Sequence, residues 1–113
     1  MVRAITFTAF AATLLFASCG SDSKSEIKEG DSEAMFMAEM GRIYGFKCAI
    51  CHGKKGVSVI KTAPNLTESV MTLEERIAII KYGKTTMPPQ KDVLDVRTIK
   101  GLALYIEQFQ KGL

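Results

Sequence analysis

The sequence predicts a small all-α fold, and three observations support this prediction. Apolar residues recur at helical spacing in three separate segments, each with a recognisable start or stop signal. Alternating apolar and polar residues, which would indicate strands, are nearly absent. The chain has 113 residues, is 47% hydrophobic and is 24% charged. This composition is typical of a globular protein of one small domain and excludes wholesale disorder.

The first 18 residues predict a secretory signal peptide. Arg3 gives a positive start, and residues 4–16 form an apolar stretch of 13 residues, shorter than the roughly 18 residues that span a bilayer. Residues 16–19, with the sequence FASC, resemble a bacterial lipobox, after which the cysteine is lipidated. We therefore expect cleavage before Cys19 and a lipid anchor on that residue, with simple cleavage nearby as the alternative. Lipidation would also account for the odd thiol of an exported protein.

Residues 19–33 are expected to form a flexible, charged tether. Residues 20–33 contain a single apolar residue, Ile27, together with five acids and two lysines. Such a segment buries too little apolar surface to order itself. The folded domain then covers residues 34–113, with 12 basic and 7 acidic residues and a net charge of +5. Its basic residues are interleaved with acids and form no runs, so we expect no binding to nucleic acid.

Three main helices are predicted within this domain. The first covers residues 33–46, and its apolar residues share one face: Phe36, Met40, Ile43 and Tyr44. The second begins directly after Thr72, which forms a capping box with Glu75, and ends at Gly83. The third begins after Asp95. Its apolar positions follow at helical spacing: Val96, Ile99, Leu102, Ala103, Ile106 and Phe109. Residues 53–69 are rich in helix-breaking residues and are predicted to be loop.

Cys48, Cys51 and His52 form a C-x-x-C-H motif, which is the attachment signature of c-type haem. Two thiols at this spacing can add to the two vinyl groups of one haem, and the adjacent imidazole is then an axial ligand of the iron. Zinc is a weaker hypothesis, because a structural site needs four ligands and only three remain without Cys19. A thiol–disulfide redox motif is also less favoured, because it normally accompanies a βαβ pattern. Export favours haem, since c-type haem is attached outside the cytoplasm.

Met87 is the predicted sixth ligand of the iron. His52 is the only histidine in the chain, so this chain has no second imidazole to offer. The other methionines of the mature chain are Met35, Met37, Met40 and Met71. The first three lie on the helix before the motif, where methionine usually fills the core, and the last directly precedes the capping box. Met87 is followed by Pro88 and Pro89, which restrict the backbone and suit a rigid loop over a cofactor.

Residues 33–110 resemble a class I cytochrome c of the small, bacterial, single-haem type. The matching pieces occur in order: Tyr44 four residues before Cys48, then CAICHG, APNL from Ala63, GKTTMP from Gly83 and LALYI from Leu102. The resemblance implies a cytochrome c fold, with three main helices and loops around one covalently bound haem. It also implies that the carbonyl of Pro64 accepts a hydrogen bond from axial His52. The family often has glycine at the position of Met40, so we expect Gly101 to supply the small residue where the first and last helices cross.

The predicted function is electron transfer by an exported carrier, not catalysis. With His52 and Met87 on the iron, no coordination site is open to a substrate, and a thioether ligand raises the potential. The alternative is a haem enzyme or gas sensor with a labile sixth ligand. A module detached from a larger oxidase or dehydrogenase is less favoured, because signal, tether and one domain account for the whole sequence.

Redox proteins with acidic docking faces are the expected partners. The reason is a set of lysines that flank the two segments expected to approach the haem: Lys47, Lys54, Lys55, Lys81, Lys84 and Lys91. A ring of positive charge would steer an acidic partner at long range. The expected location is the periplasm or cell envelope, with a membrane contact through lipidated Cys19. The sequence leaves open whether that membrane is the inner or the outer one.

Overall fold

Over the residues that the structure describes, the fold consists of four helices and one 3₁₀ turn. A computed structural model describes residues 29–112. The helices are α1 (Glu29–Lys47), α2 (Ala49–His52), α3 (Leu73–Tyr82) and α4 (Val96–Gln110), with a 3₁₀ turn at Leu66–Glu68. Within residues 29–112 there is no strand, only an isolated bridge between Lys84 and Met87. The prediction of an all-α fold with three main helices is confirmed, and α2 adds one short turn.

Helix α1 begins four residues earlier than the sequence predicted. Residues 29–33, which we had assigned to the tether, are its first turn and a half. Glu29 and Asp31 lie in that first turn, where negative side chains interact favourably with the positive end of the helix dipole. The predicted signal peptide, Cys19 and the rest of the tether lie outside the described residues.

In the part of the chain that the structure describes, no helix is both long enough and apolar enough to cross a membrane.

The predicted starts of α3 and α4 are confirmed by their capping contacts. Glu75 N donates to Thr72 Oγ1 over 3.2 Å, and Thr72 N donates back to Glu75 Oε2 over 2.9 Å. At the start of α4, Thr98 N donates to Asp95 Oδ1 over 2.7 Å. Each contact satisfies a backbone N–H that the first turn of a helix leaves without a partner. Helix α3 ends at Gly83, whose φ of 74° favours glycine.

The core lies where α4 packs against both α1 and α3. Its fully buried apolar residues come from all three helices: Met40, Tyr44, Ile80, Ile99, Leu102, Ala103 and Ile106. The buried residues of α1 and α4 belong to the predicted faces. Phe36, Ile43 and Phe109 of those faces are only half-buried, and Val96 is 75% exposed because it occupies the first turn of α4. Gly101 lies at the crossing of α1 and α4, since a Cβ added there would meet Met40 and Phe36. The expectation that Gly101 supplies the small residue is therefore confirmed.

Arg76 is a buried charge that the sequence analysis did not predict. Its guanidinium donates to the carbonyl of Ala103 over 3.1 Å, to that of Met71 over 3.2 Å and to Gln110 Oε1 over 3.4 Å. Gln110 in turn donates to the carbonyl of Ser69. These hydrogen bonds tie the segment before α3 to the second half of α4. Arg76 thus places a charged, hydrogen-bonded side chain inside the α3–α4 interface.

Candidate functional site

The C-x-x-C-H motif lies at the carboxyl end of α1 and continues directly into α2. Cys48 N donates to the carbonyl of Tyr44 over 2.9 Å, and His52 N donates to that of Cys48 over 2.9 Å. The helical hydrogen-bond pattern therefore runs through the motif and places the two cysteines about one turn apart. Cys48 and Cys51 are half-buried and do not form a disulfide. Burial raises the pKa of Cys48 to about 11, against the opposing influence of Lys47.

His52 is held by a hydrogen bond to the loop that follows the motif. It is only 9% exposed, and its Nδ1 lies 3.1 Å from the carbonyl oxygen of Pro64. A carbonyl can only accept a hydrogen bond, so Nδ1 carries the proton. In the neutral imidazole the lone pair is then on Nε2, which is the nitrogen that can bind a metal. The contact that the resemblance implied between His52 and Pro64 is present.

The buried side chain of Tyr44 contacts the same segment, and the sequence analysis did not predict this contact. Its hydroxyl donates to the carbonyl of Gly53 over 2.7 Å, directly after His52. Burial raises the pKa of Tyr44 well above its usual value, so the hydroxyl remains a donor. The Tyr44 ring also packs against Tyr105 and Phe109, with centroids 5.5 and 5.1 Å away. The sequence signal for this contact is that Tyr44 lies four residues before Cys48. That spacing places the Tyr44 ring on the same helix face as the start of the motif.

Met87 lies in a tight hairpin at the end of α3. The hairpin is closed by two backbone hydrogen bonds between Lys84 and Met87, of 3.2 and 2.9 Å. Thr85 at its tip has a φ of 55° and is the only non-glycine residue with a positive φ in residues 29–112. The Met87 side chain is half-buried and packs against the core. The sequence predicted rigidity from Pro88 and Pro89, whereas the structure adds a hydrogen-bonded turn.

The hairpin returns onto α3 after the prolines. Gln90 N donates to the carbonyl of Ile80 over 3.0 Å, and Lys91 N donates to that of Lys81 over 3.1 Å. Met71, the other candidate outside α1, lies before α3. It lines a cavity of about 310 Å³ together with Glu75, Ala78, Ile79 and Lys84.

Comparison with known proteins gives the family of this chain. Residues 36–106 match the family described as "Cytochrome C oxidase, cbb3-type, subunit III". The chain belongs to the cytochrome c family. Cytochrome c-551 of Bacillus subtilis (strain 168) is 38% identical to this cytochrome over 90 residues, which cover 74% of this chain and 77% of the relative. The cofactor is therefore covalently bound haem c, and the predicted resemblance is confirmed.

The donor groups of this cytochrome fit haem c better than a bare metal ion. Two free thiols on one helical turn match two thioether bonds, and one imidazole with a free Nε2 matches one axial ligand. By contrast, nowhere between Glu29 and Gly112 are three or more His, Cys, Asp or Glu side chains arranged to hold a metal ion. The absence of strands in the same range also removes the βαβ pattern that a thiol–disulfide motif would accompany.

Proposed function

We propose that this cytochrome is an exported, lipid-anchored electron carrier whose haem is attached through Cys48 and Cys51 and ligated by His52 and Met87. Haem c and electron transfer belong to the family, and the residue assignments and the location are the proposal. The observation that carries it is the hydrogen bond from His52 Nδ1 to Pro64. It places a proton on Nδ1, so that Nε2 is the nitrogen of the neutral imidazole that can bind a metal, and it increases the electron donation of the ring to that metal.

The hairpin geometry supports Met87 as the second axial ligand. The Met87 side chain packs toward the core, and the hairpin that carries it is closed by backbone hydrogen bonds and tied back to α3. A thioether ligand favours ferrous iron and raises the potential, and burial acts in the same direction. With both axial positions filled by protein, haem c would supply reversible one-electron redox chemistry while this chain excludes other ligands.

Export and the lipid anchor are supported by the amino-terminal sequence. The apolar stretch of residues 4–16 and the FASC sequence before Gly20 are typical of a lipoprotein signal. Glu29, where α1 starts, is ten positions after Cys19. Even fully extended, a segment of that length reaches about 33–36 Å. A lipid on Cys19 would therefore hold the cytochrome close to the membrane surface.

The docking partner proposed from the lysines is a redox protein with an acidic face. Lys47, Lys54, Lys55 and Lys84 are exposed, and we refer to these four as the lysine patch. The other two lysines of the predicted ring contribute less. Lys91 lies 2.8 Å from Asp92, which offsets its charge, and Lys81 is half-buried over the ring of Tyr82. The lysine patch would raise the association rate with an acidic partner and leave the complex weak enough to turn over.

Replacement of each candidate methionine tests the ligand assignment. We expect Met87→Ala in the haem-loaded protein to lower the reduction potential and to let imidazole bind the ferric iron much faster. Met71→Ala is the matched control and should change neither quantity. If only the Met71 variant showed these effects, the ligand assignment would be wrong. If the unmodified protein already bound imidazole as fast as Met87→Ala, a gas sensor or haem enzyme with a labile sixth ligand would replace the carrier.

A further inference from the structure

The loop after the motif is folded back onto α2 by a hydrogen bond to Cys51. The carbonyl of Cys51 accepts from Val59 N over 3.0 Å, while Ser58 Oγ donates its single proton to the carbonyl of Ile60 over 2.6 Å. A third bond, from Leu66 N to the carbonyl of Gly56 over 2.7 Å, draws the far end of the loop to its beginning. The loop therefore closes on itself beside the haem-binding motif, and its last part carries Pro64.

Pro64 makes neither a backbone N–H hydrogen bond nor a buried side-chain contact that would fix the position of its carbonyl. Proline has no backbone N–H to donate, and the Pro64 ring is exposed, so packing does not anchor it either. Its carbonyl nevertheless lies 3.1 Å from His52 Nδ1. The position of this carbonyl must therefore be set by the residues on either side of it in the chain.

Asn65 provides such an anchor immediately after Pro64. Its side-chain oxygen Oδ1 accepts a hydrogen bond from Ser58 N over 2.8 Å, and the next residue, Val59, donates its N–H to the carbonyl of Cys51 over 3.0 Å. The Asn65 side chain is half-buried. Its other contact, from Nδ2 to Glu68 Oε1, is exposed and long at 3.4 Å. The link from Asn65 through Ser58 therefore connects Pro64 to the motif that contains His52.

We propose that Asn65 is a positioning residue for the axial histidine, acting through the carbonyl of Pro64. The proposal rests on the proposed function, in which His52 is an iron ligand. The acceptor Oδ1 fixes Ser58 N, so the chain at residue 64 keeps its carbonyl on His52 Nδ1. That hydrogen bond makes the imidazole a stronger donor, which favours ferric iron. Loosening it should therefore raise the reduction potential.

Two substitutions in the haem-loaded protein separate this role from general loosening of the loop. Asn65→Ala removes the acceptor, and Asn65→Asp keeps an acceptor oxygen while losing the Nδ2 donor. We expect the Nδ1 proton of His52, followed by NMR, to exchange with solvent about fivefold faster in Asn65→Ala, equivalent to one net hydrogen bond of about 1 kcal/mol. The potential of this variant should rise. Asn65→Asp should exchange within about twofold of the unmodified protein.

Glu68→Ala is the matched control, because it removes only the exposed contact of Asn65 Nδ2. It should leave both the proton exchange and the potential unchanged. The proposal is overturned if Asn65→Ala changes neither quantity, or if Asn65→Asp exchanges as fast as Asn65→Ala. A separate measurement tests the proposed function, in which His52 is an iron ligand. If the ring resonances of His52 did not shift between the ferric and ferrous protein, the ligand assignment would be wrong, whatever the behaviour of Asn65.

Discussion

Replacing Gly101 with alanine should destabilise the protein, although alanine is the better helix former. A Cβ at Gly101 would lie 2.5 Å from both Met40 Sδ and Phe36 Cζ, where α4 crosses α1. Atoms in ordinary apolar contact are about 3.5–4.0 Å apart, so each side chain would have to move by about 1 Å. Met40 is 1% exposed and is enclosed by the core. The added methyl group therefore has no free space to enter.

The expected loss follows from two opposing contributions. Replacing glycine with alanine inside a helix stabilises it by about 1 kcal/mol. Overpacking a well-packed core costs about 1–3 kcal/mol. The net loss at Gly101 should then be about 1 kcal/mol, which lowers Tm by about 4–8 °C for a domain of this size. Gly45 in α1 offers a matched control, because a Cβ there would meet no atom within 4 Å. Gly45→Ala should raise the stability by about 0.5–1 kcal/mol.

Thermal and denaturant unfolding of the haem-loaded protein, followed by circular dichroism, would measure both variants. The slope of the denaturant dependence should stay unchanged, so that the midpoint alone reports stability. A Phe36→Leu background should reduce the cost of Gly101→Ala, since the two sites are in contact and their effects should not be additive. The reasoning is refuted if Gly101→Ala is as stable as Gly45→Ala, because α1 and α4 would then not approach closely at Gly101.

Two further substitutions test the Met87 hairpin and the lysine patch. Thr85→Gly should relieve about 1–2 kcal/mol of backbone strain in the closed hairpin. Because the hairpin should then open less often, imidazole should bind the ferric iron about 5–30-fold more slowly. Thr86→Gly, the control, should not slow it, and faster binding to Thr85→Gly would contradict the strain argument. The paired change Lys54→Glu and Lys84→Glu should slow oxidation by ferricyanide, an anionic oxidant, most strongly at low salt, since screening limits attraction to about 8–10 Å at higher ionic strength. The same reversals at Lys61 and Lys111, outside the lysine patch, should have a smaller effect, and equal effects would argue against a localised patch.

The features that the sequence predicted well are those that depend on neighbouring residues. The capping box at Thr72–Glu75 and the cap at Asp95 involve contacts three residues apart, and both are present. The haem motif is also contiguous. The contact between His52 and Pro64 spans 12 residues, and only the resemblance to a family indicated it, because no local rule relates the two positions.

The features that were missed depend on contacts between distant segments. The burial of Arg76 requires acceptors in Ala103 and Gln110, which lie 27 and 34 residues further along the chain. An arginine in an amphipathic helix otherwise predicts an exposed position. The strained conformation of Thr85 depends on closure of the hairpin and leaves no mark in composition or periodicity. The position of Asn65 against Ser58 likewise follows from how the loop closes.

Helix α4 is the common support for the two halves of the proposed haem site. Cys48, Cys51 and His52 lie in and directly before α2, which follows α1 without a loop, and Met87 lies on a hairpin tied to the end of α3. Helices α1 and α3 both pack against α4, and Arg76 fastens the start of α3 to it. The separation of the two proposed axial ligands is therefore set largely by packing on α4. A substitution in the core of α4 should consequently change ligation of the iron as well as stability, although α4 contributes no ligand.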